Sequence, residues 1–169
     1  METKFLGPIF RPLFESSKMA WIWLLVRIYL GWEWLYAGYE KVINPVWVGS
    51  TAGGAVSGFV KGALTKTIGE HPDVSSWYAW FLQNYVSTNA SFWSHLVAYG
   101  ELFVGLGLIF GALTFLSAFF GFFMNMNYLL AGTVSSNPVM LILSLFLMLA
   151  RKISGRIGVD GYIQSRSKS

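Results

Sequence analysis

Residues 20–41, AWIWLLVRIYLGWEWLYAGYEK, constrain the chain more than any other stretch. The run is apolar, aromatic and long enough to cross a bilayer, yet it carries Arg27 and Glu33. A charge at membrane depth is costly and faces a partner or a watered cavity. At helical spacing Arg27, Gly31, Trp34, Gly38 and Lys41 share one face, basic and notched by glycine, which admits a close neighbour. Glu33 and Glu40 fall on a different face.

Composition agrees with a membrane setting. Only 12% of the 169 residues are charged and 54% are hydrophobic, whereas a soluble domain is nearer about 25% charged. The net charge of +4 gathers in the two terminal segments, which suits membrane orientation rather than nucleic-acid binding. Cysteine is absent, so the chain itself offers no thiolate ligand, iron–sulfur ligation or persulfide chemistry.

Taken in order, residues 1–18 read as a short cytoplasmic arm with Lys4, Arg11 and Lys18. Span one follows at 19–39, with Trp21 and Trp23 at the inner interface and Trp34, Tyr36 and Tyr39 at the outer. Residues 40–92 form a long extracytoplasmic loop. In it Ala55, Val56, Phe59, Val60, Ala63, Leu64 and Ile68 recur at the period of an amphipathic helix. Asp73 or Ser75 caps a second, aromatic helix over 77–86, and together the two make a lid. Spans two, three and four lie at 93–112, 114–134 and 138–152, followed by a basic cytoplasmic tail at 153–169. The expected fold is an all-α membrane protein: a four-transmembrane-helix bundle with amphipathic helices in the loop between spans one and two, a single domain over 1–169 with both termini inside.

At about 1.5 Å per residue, Arg27 and Glu101 differ in depth by only ~6 Å when each is measured from its own span's edge. An Arg27–Glu101 pair is therefore expected, either as a structural ion pair or as a pocket where an anion or a quinone head meets Arg27. Asn125 and Asn127 point to opposite sides of span three, so one joins the Arg27 cluster and the other bonds across a subunit interface, unless both serve interhelical amide bonding. Glu33 is met by Lys41 or a loop lysine, or it carries a proton and serves a relay. His95 opens span two and His71 lies in the loop, so no histidine pair is placed to clamp a haem. Glu70, His71 and Asp73 read as a turn and cap rather than a metal site, and no flavin, dinucleotide or phosphate-loop motif is present.

Several of these motifs resemble the DoxX family. Arg27, Gly31, Gly38 and Lys41 followed by Asn44 and Pro45 are similar to its first-helix signature. So are Gly100 and Glu101 with the glycine-rich second helix, Gly111 to Thr114, and the closing stretch from Gly155 to Asp160. The loop GEHPDVSSWYAWF and the segment from Leu130 to Pro138 resemble its DoxD-like branch. The resemblance implies a membrane subunit of a thiosulfate:quinone oxidoreductase, working beside a second subunit and using membrane quinone as electron acceptor. Carried onto this chain, Arg27, Glu101 and Glu33 are expected to be catalytic, and Arg27, Lys41, Asn125 and Trp34 to bind substrate or quinone. Two other classes compete: a non-catalytic membrane scaffold for a redox or stress-response partner, and a small-anion carrier. The glycine ridges also permit a homo-oligomer.

Overall fold

A computed structural model describes residue 7 and residues 10–167, all-helical throughout. Lys4 and Lys168 lie outside the described residues. Within the N-terminal arm, helix α1 (Arg11–Glu15) tucks Phe14 against Trp23, ring centres 5.2 Å apart, and Trp23 Nε1 donates to the Leu13 carbonyl at 2.7 Å. Trp23 is thus core, not an interfacial residue, whereas Trp21 is exposed as expected.

Helix α2 (Ala20–Val42) buries the face read from its spacing: Arg27, Leu30, Gly31, Trp34 and Gly38 are inward, and Trp32, Tyr36 and Tyr39 outward. It runs antiparallel to α5 (Ala90–Phe110), its most extensive neighbour. Glycines set that register. Gly38 sits on Leu102, Gly105 on Leu35 and Gly31 on Ile109, each so close that a Cβ would intrude on the opposite chain. Helix α5 packs on α6 (Thr114–Leu130), α6 on α7 (Asn137–Leu149), and α7 returns to α2. By length and composition one helical run, Ser76–Phe110, suffices to cross a membrane, while α6 and α7 are apolar but shorter.

That long run corrects the expected boundary between loop and second span. Helix α4 (Ser76–Phe81) passes without a break through a π-helical turn, Leu82–Val86, and a 3₁₀ turn, Ser87–Asn89, into α5. Nothing in 82–92 is a helix breaker, so the aromatic segment extends α5. Helix α3 (Gly54–Leu64) buries Val56, Val60 and Ala63 against Val74, Tyr78, Leu82, Val86 and Ala131, a second core over the end of α6. Ile68, assigned by period to the same stripe, is 82% exposed because the helix has already ended. Lys66 Nζ donates to the Gly132 carbonyl at 2.6 Å and so ties the segment after α3 to the turn that follows α6.

The tail is not a simple basic flank. After α7 the chain turns inward, burying Ile153 and Ser154, and ends in α8 (Val159–Arg166). Asp160 accepts the backbone N–H groups of Leu113 and Thr114, both at 2.8 Å, and its own N–H donates to the Gly111 carbonyl at 2.8 Å. It is an N-terminal cap for α6 supplied from far along the sequence. Replacing Asp160 by alanine strands two helix-start donors and is expected to cost about 2 kcal/mol. A thermal melt that stays put in the Asp160→Ala protein counts against this cap.

Candidate functional site

The structure separates the two charges expected to pair. Glu101 lies opposite Gly38, while Arg27 lies opposite Gly111, eleven residues and about 16 Å further along α2. Measuring depth from each span's own edge misleads, because the helices are registered by the glycines at which they touch. Arg27 is 1% exposed, and its guanidinium donates from Nη1 to the Ser154 carbonyl at 3.0 Å and from Nη2 to the Ile157 carbonyl at 2.6 Å. It packs against Gly111, a left-handed residue at φ +63° whose missing side chain leaves room for the guanidinium. Arg27 therefore clamps the C-terminal turn and does not line the apolar cleft along α5 and α6.

Glu101 meets a different cation. Its Oε2 is 2.6 Å from Lys41 Nζ, and its Oε1 accepts the Tyr128 hydroxyl at 2.6 Å. The Glu101 side chain is 2% exposed and that of Lys41 21%, so the pair is accessible from the lysine side. A buried carboxylate is tolerable only with such partners. Lys41 comes from the last turn of α2, where a cation also suits the helix C-terminus. Its ammonium lies 5.2 Å from the Trp47 ring centre. The Asn44–Pro45 turn throws Trp47 back: Asn44 accepts the Trp47 N–H at 2.9 Å and, through Oδ1, that of Val46 at 3.0 Å.

Beside this triad a cleft of about 700 Å³ lies along α5 and α6 under α3 and α4. Its walls are almost wholly apolar and include Phe59, Phe103 and Phe120, with Gly100 on α5. The side chains on the wall that carry hydrogen-bonding groups are few: Tyr128, Asn127 and Tyr78 toward its lidded end, the indoles of Trp47 and Trp93, and Ser117 nearer the α5–α6 turn. The Tyr78 hydroxyl donates to the Asn127 backbone carbonyl at 3.0 Å and to its Oδ1 at 3.1 Å. Asn127 thus bonds within the chain, across to α4.

Of the other expected site residues, Asn125 is buried without a hydrogen-bond partner among the described residues. It does not reach Arg27: it shares a face with Gly121 and Tyr128, both of which touch Trp34. Trp34 is 2% exposed and packed in the core, correcting its expected place at the outer interface. Neither lines the cleft. Glu33 is half-buried on another face and has no ion pair or hydrogen bond among the described residues; Lys41 is committed to Glu101 instead. No group of three histidine, aspartate or glutamate side chains is placed for a metal among the described residues, and His95 Nδ1 is 2.8 Å from the Ser91 carbonyl. Tyr128 and Trp47 are the additions. Tyr128 lies seven residues after Gly121 on the α6 face that meets Trp34, but nothing in the sequence sets it apart from the other aromatics, and no local pattern marks Trp47.

No curated protein and no solved structure matches the chain. A family model described as DoxX matches residues 22–134. The match runs from the first turn of α2 to beyond the end of α6, more than half of the chain, and takes in Arg27, Lys41, Trp47, Glu101 and Tyr128; the chain belongs to the DoxX family of membrane proteins.

Proposed function

We propose that the chain is the membrane subunit of a quinone-linked oxidoreductase of the DoxD-like kind, delivering electrons from thiosulfate or a related small sulfur compound to membrane quinone. In this reading α2, α5, α6 and α7 cross the bilayer as a four-helix bundle. Arg11, Lys18, Arg151, Lys152 and Arg156 then gather at one end, which is the cytoplasmic one. The Trp47 turn, α3 and α4 cover the other end.

One observation carries the proposal: a buried carboxylate, held by a lysine and a tyrosine, stands behind Tyr128, a residue in the wall of an apolar cleft of about 700 Å³. That volume lies in the range of small-molecule sites, roughly 300–1,000 Å³, and an apolar wall with few polar groups fits a quinone ring and its tail. A bound quinone supplies a sink for two electrons and two protons. The chain's residues handle the protons. Tyr128 stands between the cleft and Glu101, the Glu101 carboxylate takes the Tyr128 hydroxyl's hydrogen bond, and Lys41 lies on the more accessible side of Glu101. A cysteine-free chain leaves covalent sulfur chemistry to a second subunit, which binds the sulfur compound and passes the electrons on. The scaffold alternative gains from Arg27 serving structure alone, but it gives the cleft and its triad no task. A carrier that grips its anion through Arg27 loses its site, since both carbonyl bonds of that guanidinium tie down the tail.

The test is quinol formation on adding thiosulfate to membranes that hold the protein, with quinone extracted from the purified chain. Glu101→Gln keeps the shape and one oxygen to accept from Tyr128 but has neither the charge that pairs with Lys41 nor a proton to cycle, so the rate per folded molecule should fall about 100-fold. A wild-type rate in that variant, or purified protein without any bound quinone, would sink the proposal.

A further inference from the structure

Each charge of the Lys41–Glu101 pair is held by an aromatic residue whose other surface is the cleft wall. Tyr128 donates to Glu101 and lines the cleft. Trp47 lies over Lys41 and lines the cleft. Trp47 is itself anchored, because its carbonyl accepts the Ser94 hydroxyl at 2.8 Å and Ser94 is fully buried in α5. The remaining contact of the ammonium, to the Ala37 carbonyl at 3.4 Å, is long.

We infer that Trp47 positions Lys41 on Glu101 and makes that ion pair respond to what occupies the cleft. The ligand class follows from the two walls: a neutral, planar head that stacks on an indole and accepts a hydrogen bond. Such a head draws the Tyr128 hydroxyl away from Glu101 and competes for the ring that covers Lys41. Among the described residues Glu101 is then left with its Lys41 ion pair alone at the moment a proton is wanted in the cleft. No bond is made or broken; one hydrogen bond changes acceptor. The inference rests on the cleft being the ligand site and is independent of which donor supplies electrons.

Acetylation of Lys41 by acetic anhydride, read by mass spectrometry on the full chain in liposomes, tests it without turnover. Lys61, exposed on α3, serves as the internal reference. Trp47→Leu should raise Lys41 labelling relative to Lys61 about fivefold, while Trp47→Phe, which keeps a ring over the ammonium, should stay near wild type. Saturating decylubiquinone should change Lys41 labelling in the wild type and leave it unchanged in Trp47→Leu. Equal labelling of the wild type and Trp47→Leu overturns the positioning role. Wild-type labelling that ignores decylubiquinone, in a preparation shown to bind it, overturns the coupling and leaves the quinone reading standing. Absence of decylubiquinone binding defeats the quinone reading and the coupling together, and the ligand-free comparison still decides what Trp47 does.

Discussion

Arg27→Met should free the C-terminal turn and lower stability by about 4 kcal/mol, or roughly 10 °C in thermal midpoint for a chain of this size. The guanidinium is 1% exposed and makes two bonds to backbone carbonyls, those of Ser154 and Ile157. Charge-assisted hydrogen bonds of this kind contribute about 1.5–3 kcal/mol each. Methionine replaces the aliphatic stem of arginine but carries no donor, so both carbonyls lose their partner inside the fold. The loss propagates, because the segment that Arg27 holds also supplies Asp160, the cap of α6. Trypsin should therefore cut at Arg156, an exposed residue between the two clamped carbonyls, many times faster in Arg27→Met than in the wild type. Arg27→Lys, with one ammonium to share between two carbonyls, should fall between them. The triad lies about 16 Å away, so quinol formation per folded molecule should change little. An unmoved melt with unmoved proteolysis would show that the clamp is dispensable. A selective loss of activity in fully stable protein would return Arg27 to the chemistry.

Why the sequence placed Arg27 on the right face but with the wrong partner is a matter of what side-chain patterns encode. Spacing of three and four along α2 identifies the inward stripe, and all but one of its members are buried; Lys41, at the mouth, is half-covered. The opposite orientations of Asn125 and Asn127 follow from the same period, as do the α3 face and the glycine-rich face of α5. Partners are different. Arg27 is answered by backbone carbonyls, which every residue carries, so no motif announces them; a basic tail reads as a membrane flank even though its glycines let it fold against Gly111. The π-helical turn at Leu82–Val86 likewise has no breaker residue to reveal it. Tyr128 hides among many aromatics, and Trp47 depends on a turn whose direction only the folded loop defines. Depth along a span is the weakest inference of all, because helices slide until their glycines meet.

That last point yields the second large effect. Gly38→Ala adds one methyl group, and its Cβ would come to 2.7 Å from Leu102 Cα and 2.9 Å from the Glu101 carbonyl carbon. Both obstacles are backbone, so no rotamer change relieves them and α2 must move away from α5. Overpacking a core commonly costs about 1–3 kcal/mol when side chains can yield; here they cannot, and the expected loss exceeds about 4 kcal/mol, seen as a collapse in the yield of folded, detergent-soluble protein. The displacement falls one turn from Lys41 and beside Glu101, so whatever protein survives should also have a disturbed triad and low quinol formation. Gly105→Ala should behave alike, since its Cβ would come to 2.6 Å from Leu35 Cα. The control is the same substitution at Gly58 or Gly62, exposed helical positions in α3 with nothing within 4 Å of the added carbon. There alanine relieves the helix of a flexible residue and should stabilise by about 0.5–1 kcal/mol. Opposite signs from one chemical change, measured as melting temperature and folded yield, would establish that close glycine contact holds α2 on α5. Tolerance of Gly38→Ala at wild-type yield would mean that the two helices pack further apart than their glycines allow.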